Sequence, residues 1–370
     1  MSRKLLFVAS SYIHILHFHL PYLRAFQERG WEVHVGCASP EKGIPGADLT
    51  LNLPFVKKMS SPANFRTALL LRRQIRKERY DLVITHTSLA AFFTRMALWA
   101  LPRRPKLINM VHGYLFDENS SPLKRRVMLA AELLTAPQTD LVLTMNEWDY
   151  ALARKHRLGK RVAKVPGIGV EFSKMKLADP EEARALRNSL GIPPGAFVLF
   201  CAAELSERKS QHVLISALSR LPEKAVLVLA GSGSEEASLR ELAKEKQVSD
   251  RVLFPGYIKG LSAWYAMADI VVTASRIEGL PFNVMEAMYC RRPVVASRVK
   301  GHTDLIRDGE SGFLVPYGDD EAYAEAILKL MENPAVGERM AQKAAEDLHR
   351  YALDEVFPQV MDAYESVLRS

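Results

Sequence analysis

The segment RIEGLPFNVMEAM, residues 276–288, contains two carboxylates, Glu278 and Glu286, that are eight positions apart. On one continuous helix they would share a face, about 12 Å apart along the axis. Gly279 and Pro281 argue against a helix up to that point, whereas a proline before FNVMEAM favours a helix start. We therefore expect two glutamates with separate tasks, Glu278 in a loop and Glu286 more than one turn into the next helix, and not an acid/base pair.

The turn between these glutamates could also hold a phosphate. A helix start presents backbone N–H groups without intrahelical acceptors, together with the positive end of the helix dipole. The turn EGLPF, residues 278–282, would carry both features to the end of a strand, where anions bind readily. From physics alone, an ordinary strand-to-helix turn with solvated glutamates remains the alternative.

Three histidines, His14, His17 and His19, lie close together near the start of the chain in SSYIHILHFH. Such a group could bind a metal, contact a ligand or pack internally. A helix would place His14 and His17 together and His19 off their face, which suits one metal ion poorly. We predict no metal site and leave ligand contact and packing open.

Strands that alternate with helical patterns predict the scaffold for these residues. For example, FHLPYLRAFQERG has helical spacing and ends on Gly30, as a helix C-terminus favours. Strand–helix–strand order implies doubly wound parallel sheets. The predicted strands are residues 4–10, 31–38, 81–86, 106–112, 141–146, 197–204, 225–231, 251–257, 270–275 and 293–298.

The length of 370 residues exceeds what one core usually serves, and a Pro- and Gly-containing break near residues 168–175 separates two series of strands. We predict two Rossmann-like α/β domains, residues 1–170 and 171–350, with ligands bound in a cleft between the carboxyl edges of their sheets. A C-terminal helix, 351–370, could cap its own domain or pack back on the first.

The composition limits the cellular compartment in which the protein is expected. Apolar residues make up 48% and charged residues 25% of the chain, as in soluble globular proteins. Three cysteines in apolar stretches form no CxxC pair, which indicates a reducing cytoplasm. The basic start MSRK precedes too short an apolar run for a signal peptide. No window approaches the roughly 18–20 apolar residues of a membrane span, so we expect a cytoplasmic protein whose membrane contact is at most peripheral.

The positive charge is concentrated in the first half. Residues 1–170 hold 26 Lys/Arg against 12 Asp/Glu, a net +14, and the remaining residues hold 24 against 30, a net −6. A solvated surface and a docking face for anionic lipid or a phosphate-bearing lipid substrate both fit this charge. Nucleic acid is disfavoured because no nucleic-acid-binding module is recognisable. The basic, apolar stretch SPLKRRVMLAAELL, residues 121–134, could rest on an anionic bilayer or be an ordinary buried helix.

The segment TASRIEGLPFNVMEAMYCRRPVVAS resembles the E-x7-E signature of the retaining, two-domain GT-B glycosyltransferases known as group 1 or family four. The resemblance continues through LVLAGSGSEEASLRELA, VLFPGYI and GHTDLIRDGESGFLVP, and in the first half through YDLVITHT, INMVHG, DLVLTMNEWD and PGIGVE, so it covers nearly the whole chain. The FHLPYLRAFQERGWEVHV and AELSERKSQ segments most resemble the exopolysaccharide and capsule biosynthesis branch.

The resemblance implies roles for the two glutamates and the turn between them. Glu286 would hold the ribose hydroxyls of a nucleotide, and Glu278 would lie beside the reacting carbon of the transferred sugar. The backbone amides of Gly279, Leu280 and Phe282 would face the sugar and the diphosphate.

Further roles also follow from the resemblance. Lys209 would bind the diphosphate, and Arg208 could supply the charge of the usual family arginine, which is Glu204 here. A histidine over the donor sugar falls on His112. The other donor-binding positions that the resemblance indicates are Tyr257, Gly231 and Ser11.

Together these features predict a retaining glycosyltransferase that moves a sugar from a nucleotide donor, most plausibly a UDP-sugar, to a saccharide or lipid-linked acceptor. No D-x-D pair is present, so no metal or other cofactor is expected, and no nucleic-acid partner. Two alternatives stay open: a UDP-sugar 2-epimerase of the same fold and a non-catalytic partner subunit.

Overall fold

The computed structural model describes residues 2–369 and divides them into two compact α/β units. Unit 1 runs to Val170 and also includes the segment from Leu353 onward, and unit 2 is Glu171–Ala352. The C-terminal segment, whose placement the sequence left open, is thus part of unit 1.

Both units are built on parallel sheets. The sheet of unit 1 has the strand order β3-β2-β1-β4-β5-β6-β7, and that of unit 2 has the order β10-β9-β8-β11-β12-β13. The strands are β1 (Lys4–Val8), β2 (Glu32–Cys37), β3 (Leu49–Asn52), β4 (Leu82–His86), β5 (Lys106–Val111), β6 (Leu141–Thr144), β7 (Arg161–Lys164), β8 (Phe197–Ala202), β9 (Ala225–Ala230), β10 (Val252–Gly256), β11 (Ile270–Thr273), β12 (Val294–Ser297) and β13 (Phe313–Val315).

Helices follow the strands and supply the crossover connections. Two of them, α1 and α2, meet at His19, and α2 ends before Gly30, as the sequence predicted. The helices are α1 (Tyr12–Phe18), α2 (Leu20–Glu28), α3 (Pro62–Glu78), α4 (Ser88–Leu98), α5 (Pro122–Thr135), α6 (Glu147–His156), α7 (Pro180–Ser189), α8 (Gln211–Leu218), α9 (Glu236–Glu245), α10 (Ser262–Met267), α11 (Phe282–Tyr289), α12 (His302–Leu305), α13 (Asp320–Glu332), α14 (Pro334–Asp347) and α15 (Leu353–Ser366). Within residues 2–369, none of the helices is long and apolar enough to cross a bilayer.

The predicted doubly wound fold class is confirmed, and all ten predicted strands form, each a little shorter than predicted. Three short strands, β3, β7 and β13, were not predicted from the sequence. All three lie at sheet edges, and β3 and β7 have no buried residue. Without a core-facing apolar run, such strands lack the hydrophobic pattern that identifies a strand.

Helix α15 packs on unit 1 through aromatic rings. Tyr364 is fully buried and lies edge-on to Tyr22, with ring centroids 6.0 Å apart. The Tyr22 hydroxyl donates to the Ile168 carbonyl at 2.8 Å, and the Leu353 amide donates to the Val170 carbonyl at 3.0 Å. Apolar area removed from water, reinforced by aromatic contacts, therefore places the end of the chain in unit 1.

A buried ion pair joins α4 to α5. Arg95 is completely buried, and its Nη2 donates to Glu132 Oε2 at 2.7 Å, while its Nε donates to the Ala91 carbonyl at 3.2 Å. Glu132 and Thr135 are the buried residues of α5. This pair therefore fixes a helix whose other side chains are partly or fully exposed.

We predict that Glu132→Ala lowers the free energy of unfolding by about 3–5 kcal/mol, because it leaves the Arg95 guanidinium buried without its counter-ion. Urea unfolding followed by circular dichroism measures the change. The matched control is Glu365→Ala, which removes a half-exposed partner of Arg29 in the same unit and should cost about 0–1 kcal/mol. Equal effects of the two substitutions would contradict the prediction.

Candidate functional site

The loop that connects β11 to α11 carries the first glutamate. Glu278 lies between Thr273, the end of the strand, and Phe282, the start of the helix, and Glu286 lies in the second turn of α11. The predicted placement of both glutamates is confirmed. Pro281 precedes the helix and supplies no side-chain cap, so the positive end of the helix dipole points into this loop.

Glu278 is 9% exposed and is held by two cations. Lys209 Nζ lies 2.6 Å from Glu278 Oε1, and Arg208 Nη1 lies 3.3 Å from Glu278 Oε2. Burial alone would raise the pKa of this carboxyl, but Lys209 and then Arg208 outweigh burial and lower the pKa from 4.5 to about 2. Glu278 is therefore an ionised carboxylate at neutral pH, despite its burial.

A loop after β8 delivers both cations. The Lys209 amide donates to the Ser206 carbonyl at 2.9 Å, and the Arg276 amide donates to the Arg208 carbonyl at 2.8 Å. Ser210, with a left-handed backbone (φ 51°), then precedes α8. The loop of residues 203–210 is thus bonded to the loop that carries Glu278, and the Lys209 side chain is only 12% exposed.

Gly301, which the sequence did not single out, allows the Glu278 loop to sit where it does. Its φ is +82°, and a Cβ there would lie 2.7 Å from the Gly279 carbonyl oxygen and 3.1 Å from Glu278 Cβ. Only glycine fits such a close approach. The signal in the sequence was available, since Gly301 shortly follows β12 and belongs to a segment that resembles the family.

Glu286 is held by Tyr265 of α10, a partner that sequence reasoning missed. The Tyr265 hydroxyl donates to Glu286 Oε2 at 2.9 Å and lies 3.1 Å from the Asn283 carbonyl. Burial raises the pKa of Glu286, and the bond from Tyr265 opposes that rise. The tyrosine fixes one carboxylate oxygen, which orients the other for a ligand.

A cavity of about 380 Å³ opens at the carboxyl ends of β8, β9 and β10. Gly231, Tyr257 and Glu204 line it together with Ala202, Ala203, Ala230, Ser232, Ile258 and Leu261. At Gly231 a Cβ would lie 1.9 Å from the Ala203 carbonyl oxygen, so only glycine allows these two loops to meet. Tyr257 is 72% exposed and presents its ring at the cavity.

From the sequence we expected Arg208 to supply the charge of the usual family arginine, whose position is occupied by Glu204 in this chain. Glu204 is exposed on the cavity wall, whereas the Arg208 guanidinium bonds to Glu278 and to the Ile277 carbonyl, the latter at 3.3 Å. In the structure Arg208 therefore balances the charge of Glu278. Its side chain is 43% exposed, which leaves part of the guanidinium open to a ligand.

The remaining predicted residues belong to unit 1. His112 follows β5, and Ser11 is the exposed N-cap of α1 without a side-chain cap bond. His112 Nε2 lies 3.1 Å from Nδ1 of His86 at the end of β4, and His14 and His19 lie close to both. His17 is exposed and lies outside this group.

Burial lowers the pKa of each histidine in this group, to about 4 for His14 and well below the ordinary value for His19, His86 and His112. The imidazoles are therefore neutral at pH 7. Sequence reasoning grouped His14 with His17 and missed His86. The available signal was that His86 ends one strand and His112 follows the next, so both lie at one edge of a parallel sheet.

We predict that Lys209→Met raises the pKa of Glu278 from about 2, because the largest charge that opposes the effect of burial is then lost and only Arg208 and His302 still lower the pKa. Ionised Glu278 now contributes stability that is present above pH 4.5 and lost as the pH falls toward 2. In the variant, this loss should begin at a higher pH. Unfolding midpoints measured from pH 3 to 7 give the comparison, with Glu278→Gln as the profile without this group.

The control for this prediction is Lys224→Met, which removes an exposed lysine of the same unit and should leave the pH profile of stability unchanged. Superimposable profiles for Lys209→Met and the wild type would refute the proposed charge balance.

Two family models cover most of the chain. Residues 182–347 match the model described as "Glycosyl transferases group 1", and residues 20–167 match "Glycosyl transferase 4-like domain". EpsD of Bacillus subtilis (strain 168), which bears the provisional name of a glycosyltransferase, is 32% identical over 100% of this chain and 98% of its own length.

Solved structures show the same fold. HepE of Anabaena, in complex with UDP and glucose, superposes with a TM-score of 0.81 at 21% identity, over 98% of this chain and 100% of HepE. The sucrose-phosphate synthase of Thermosynechococcus elongatus gives 0.81 at 20% identity, over 99% and 100% of the two chains. With two parallel Rossmann-like sheets, matches to both family models and a full-length relative, this chain belongs to the group 1 glycosyltransferases of the GT-B fold.

Proposed function

We propose that this glycosyltransferase transfers a sugar from a UDP-sugar to a saccharide or lipid-linked acceptor in cell-surface polysaccharide assembly, with retention at the anomeric carbon and without a metal cofactor. The observation that carries the proposal is the cluster of buried Glu278 with its two cations, Lys209 and the partly exposed Arg208. It is joined to the cavity by one loop, residues 203–210, which supplies Ala203 and Glu204 to the cavity wall and the two cations to Glu278.

The parts of the donor then correspond to features of unit 2. The base enters the cavity lined by Gly231 and Tyr257, and the ribose hydroxyls donate to the Glu286 carboxylate that Tyr265 orients. The HepE complexes with UDP and with UDP-glucose support this choice of nucleotide.

The diphosphate and the sugar lie nearer to Glu278 in this proposal. The diphosphate meets Lys209, Arg208 and the start of α11, including the amides of Gly279, Leu280 and Phe282. Its negative charge grows as the bond to the anomeric carbon breaks, and fixed positive groups stabilise that charge most effectively in a dry site. Cations and a helix dipole thereby do the work that a divalent metal would do.

The proposed transfer with retention proceeds on one face of the sugar. Ionised Glu278 beside the anomeric carbon stabilises the positive charge that develops on the sugar. The acceptor hydroxyl attacks from the side that the diphosphate leaves, its oxygen bonds to the anomeric carbon, and its proton passes to the departing phosphate oxygen. His112 keeps the sugar-contacting role that the resemblance gives it, and Ser11 a donor contact.

The acceptor side is assigned to unit 1, which carries most of the positive charge. A groove of about 300 Å³ is lined by aromatic Phe116 and Trp148 and by Arg125, Arg126 and His156, among others. Aromatic faces and cations together suit a sugar that bears phosphate. The resemblance of FHLPYLRAFQERGWEVHV and AELSERKSQ to the exopolysaccharide and capsule biosynthesis branch supports a polysaccharide acceptor.

Helix α5 supports peripheral membrane contact. Leu123 is 74% exposed, and Val127 and Leu134 are each 59% exposed, beside exposed Arg125 and Arg126. An ordinary buried helix, the alternative left open by the sequence, does not describe α5. Exposed apolar side chains with adjacent arginines are what an interfacial helix on an anionic bilayer requires.

We predict that UDP-sugars raise the melting temperature of the protein, because a ligand that binds the folded state stabilises it, and that one of them is transferred. Glu278→Gln should keep UDP binding and lower the transfer rate by about 100-fold or more, and a chelator should not lower the wild-type rate. A panel of nucleotide sugars, with NMR of the product anomer, provides the measurements.

Glu207→Gln is the matched control for this experiment, because Glu207 lies in the same loop as Lys209 with an 86% exposed side chain, and it should leave transfer unchanged. Undiminished transfer by Glu278→Gln would refute the role of Glu278. A product that keeps its UDP would identify the 2-epimerase alternative. Donor binding without transfer or hydrolysis would favour the non-catalytic subunit.

We predict that vesicles containing anionic lipid retain the protein at low salt and release it at high salt. Replacing both Leu123 and Leu134 with Gln should weaken retention by at least about tenfold, because each buried leucine contributes about 1.5–3 kcal/mol. Co-sedimentation measures it, with Leu177→Gln, a 63% exposed leucine of unit 2, as control. The docking proposal fails if the wild type stays in the supernatant or if the double variant sediments like the wild type.

A further inference from the structure

Four histidine side chains converge at the carboxyl edge of the sheet of unit 1. His14 lies on α1, His19 between α1 and α2, His86 at the end of β4 and His112 just after β5. One nitrogen from each ring lies within 4.8 Å of one nitrogen from every other ring. Three segments distant in sequence, around residues 14–19, 86 and 112, therefore bring four nitrogen ligands together.

The spacing of the rings approaches that of a tetrahedral metal site. In such a site, with metal–nitrogen bonds of about 2.0–2.1 Å, the ligand nitrogens are about 3.4 Å apart. His86 Nδ1 and His112 Nε2 already lie 3.1 Å apart. Because all of the separations are 4.8 Å or less, a contraction of at most about 1.4 Å in any one of them completes the geometry.

Several ring nitrogens of this group are buried and have no hydrogen-bond partner among residues 2–369. They are His14 Nε2, both nitrogens of His19 and Nε2 of His86. A buried polar atom without a partner costs about 1–3 kcal/mol. So many unsatisfied atoms in one place indicate that these rings have a ligand, since hydrophobic packing alone would favour apolar side chains here.

The chemistry of the group narrows the ligand to a cation that prefers nitrogen. No carboxylate or thiolate belongs to the group, which disfavours Mg²⁺ and Ca²⁺ and suits Zn²⁺, Co²⁺, Ni²⁺ or Cu²⁺. Burial keeps the imidazoles neutral by lowering each pKa, and neutral imidazole is the form that binds metal.

The described residues contain a second cluster of side chains that could bind a metal ion, but this cluster already has a cation beside it. Glu32, His34 and Glu78 also lie together, but Lys4 Nζ already lies 3.0 Å from Glu32 and 2.9 Å from Glu78. An ammonium group therefore neutralises these carboxylates, and the four-histidine group is the stronger candidate.

We propose that His14, His19, His86 and His112 form a binding site for one late first-row transition-metal ion, with Zn²⁺ as the best-fitting probe. The framework supports it, since His86 stacks on Phe7 with ring centroids 5.3 Å apart and both strand-end histidines are fixed by the sheet. The site shares His112 with the sugar contacts proposed above, and the proposed transfer itself uses no metal.

An ion bound here would occupy a nitrogen of His112 and so remove it from the sugar-contacting role proposed above. The metal would then inhibit transfer, and a chelator would restore it. This consequence rests on the proposed function, whereas binding itself is measured without any donor, so failure of either is distinguishable from failure of the other.

The test is titration of the metal-free protein with Co²⁺, which shows intense visible absorption only in a tetrahedral site, followed by displacement with Zn²⁺. We expect one ion per chain. His19→Ala and His86→Ala should each weaken binding by at least about 100-fold, since each removes a direct ligand and even indirect supports cost 10–100-fold. His17→Ala, an exposed histidine of the same segment, should bind like the wild type.

A second measurement covers variants that fail to fold. X-ray absorption at the zinc edge on the wild-type protein counts imidazole ligands at about 2.0 Å. Three or four imidazoles support the site. Fewer than three, no binding by the folded wild type, or binding unchanged in folded His19→Ala would overturn it.

Discussion

The arrangement of the loops around Glu278 in unit 2 depends on one buried carboxylate staying ionised. Glu278 is almost wholly removed from water, which by itself favours the neutral acid, yet Lys209 and Arg208 reverse the balance and hold its pKa at about 2. Removing one partner of such a cluster leaves an uncompensated buried charge, which is far more costly than losing a surface pair. The loop of residues 203–210 therefore has to hold its cations against the loop that carries Glu278. The close approach of Gly301 to the Glu278 loop leaves that loop little room to move.

In unit 1 the buried ionisable groups at the carboxyl edge of the sheet are neutral instead of charged. In unit 2 two cations compensate the charge of a buried carboxylate. In unit 1 a group of imidazoles lies at the corresponding edge of a similar sheet, and burial lowers their pKa and keeps them neutral. Both arrangements exploit the same topological fact: in a parallel sheet, all strands end at one edge, so residues distant in sequence meet there. One edge thus holds an ionised carboxylate between two cations, and the other holds a group of neutral imidazoles.

Much of the fold was predictable because parallel strands covered on both faces are continuous apolar runs. The strands that precede Glu278, Lys209 and His112 were all predicted from such runs. The helix start before Glu286 was predicted from the proline that precedes FNVMEAM. The edge strands β3 and β7 were missed because they bury nothing. The ion pair of Glu278 with Lys209 could not be predicted either. The sequence motif indicates which part of a donor each side chain would contact, but it does not show which of these side chains contact one another when no donor is bound.

The sequence by itself determined the fold class, the family and the positions of both glutamates, because these follow from local hydrophobic periodicity, helix-start chemistry and a linear motif. Only the tertiary structure decided that Tyr265 orients Glu286, that Gly301 admits the Glu278 loop, that α5 exposes its leucines and that His86, not His17, joins His14, His19 and His112. Each of these depends on distances between segments that are far apart along the chain, and such distances are set by how helices and strands pack, which no local pattern encodes.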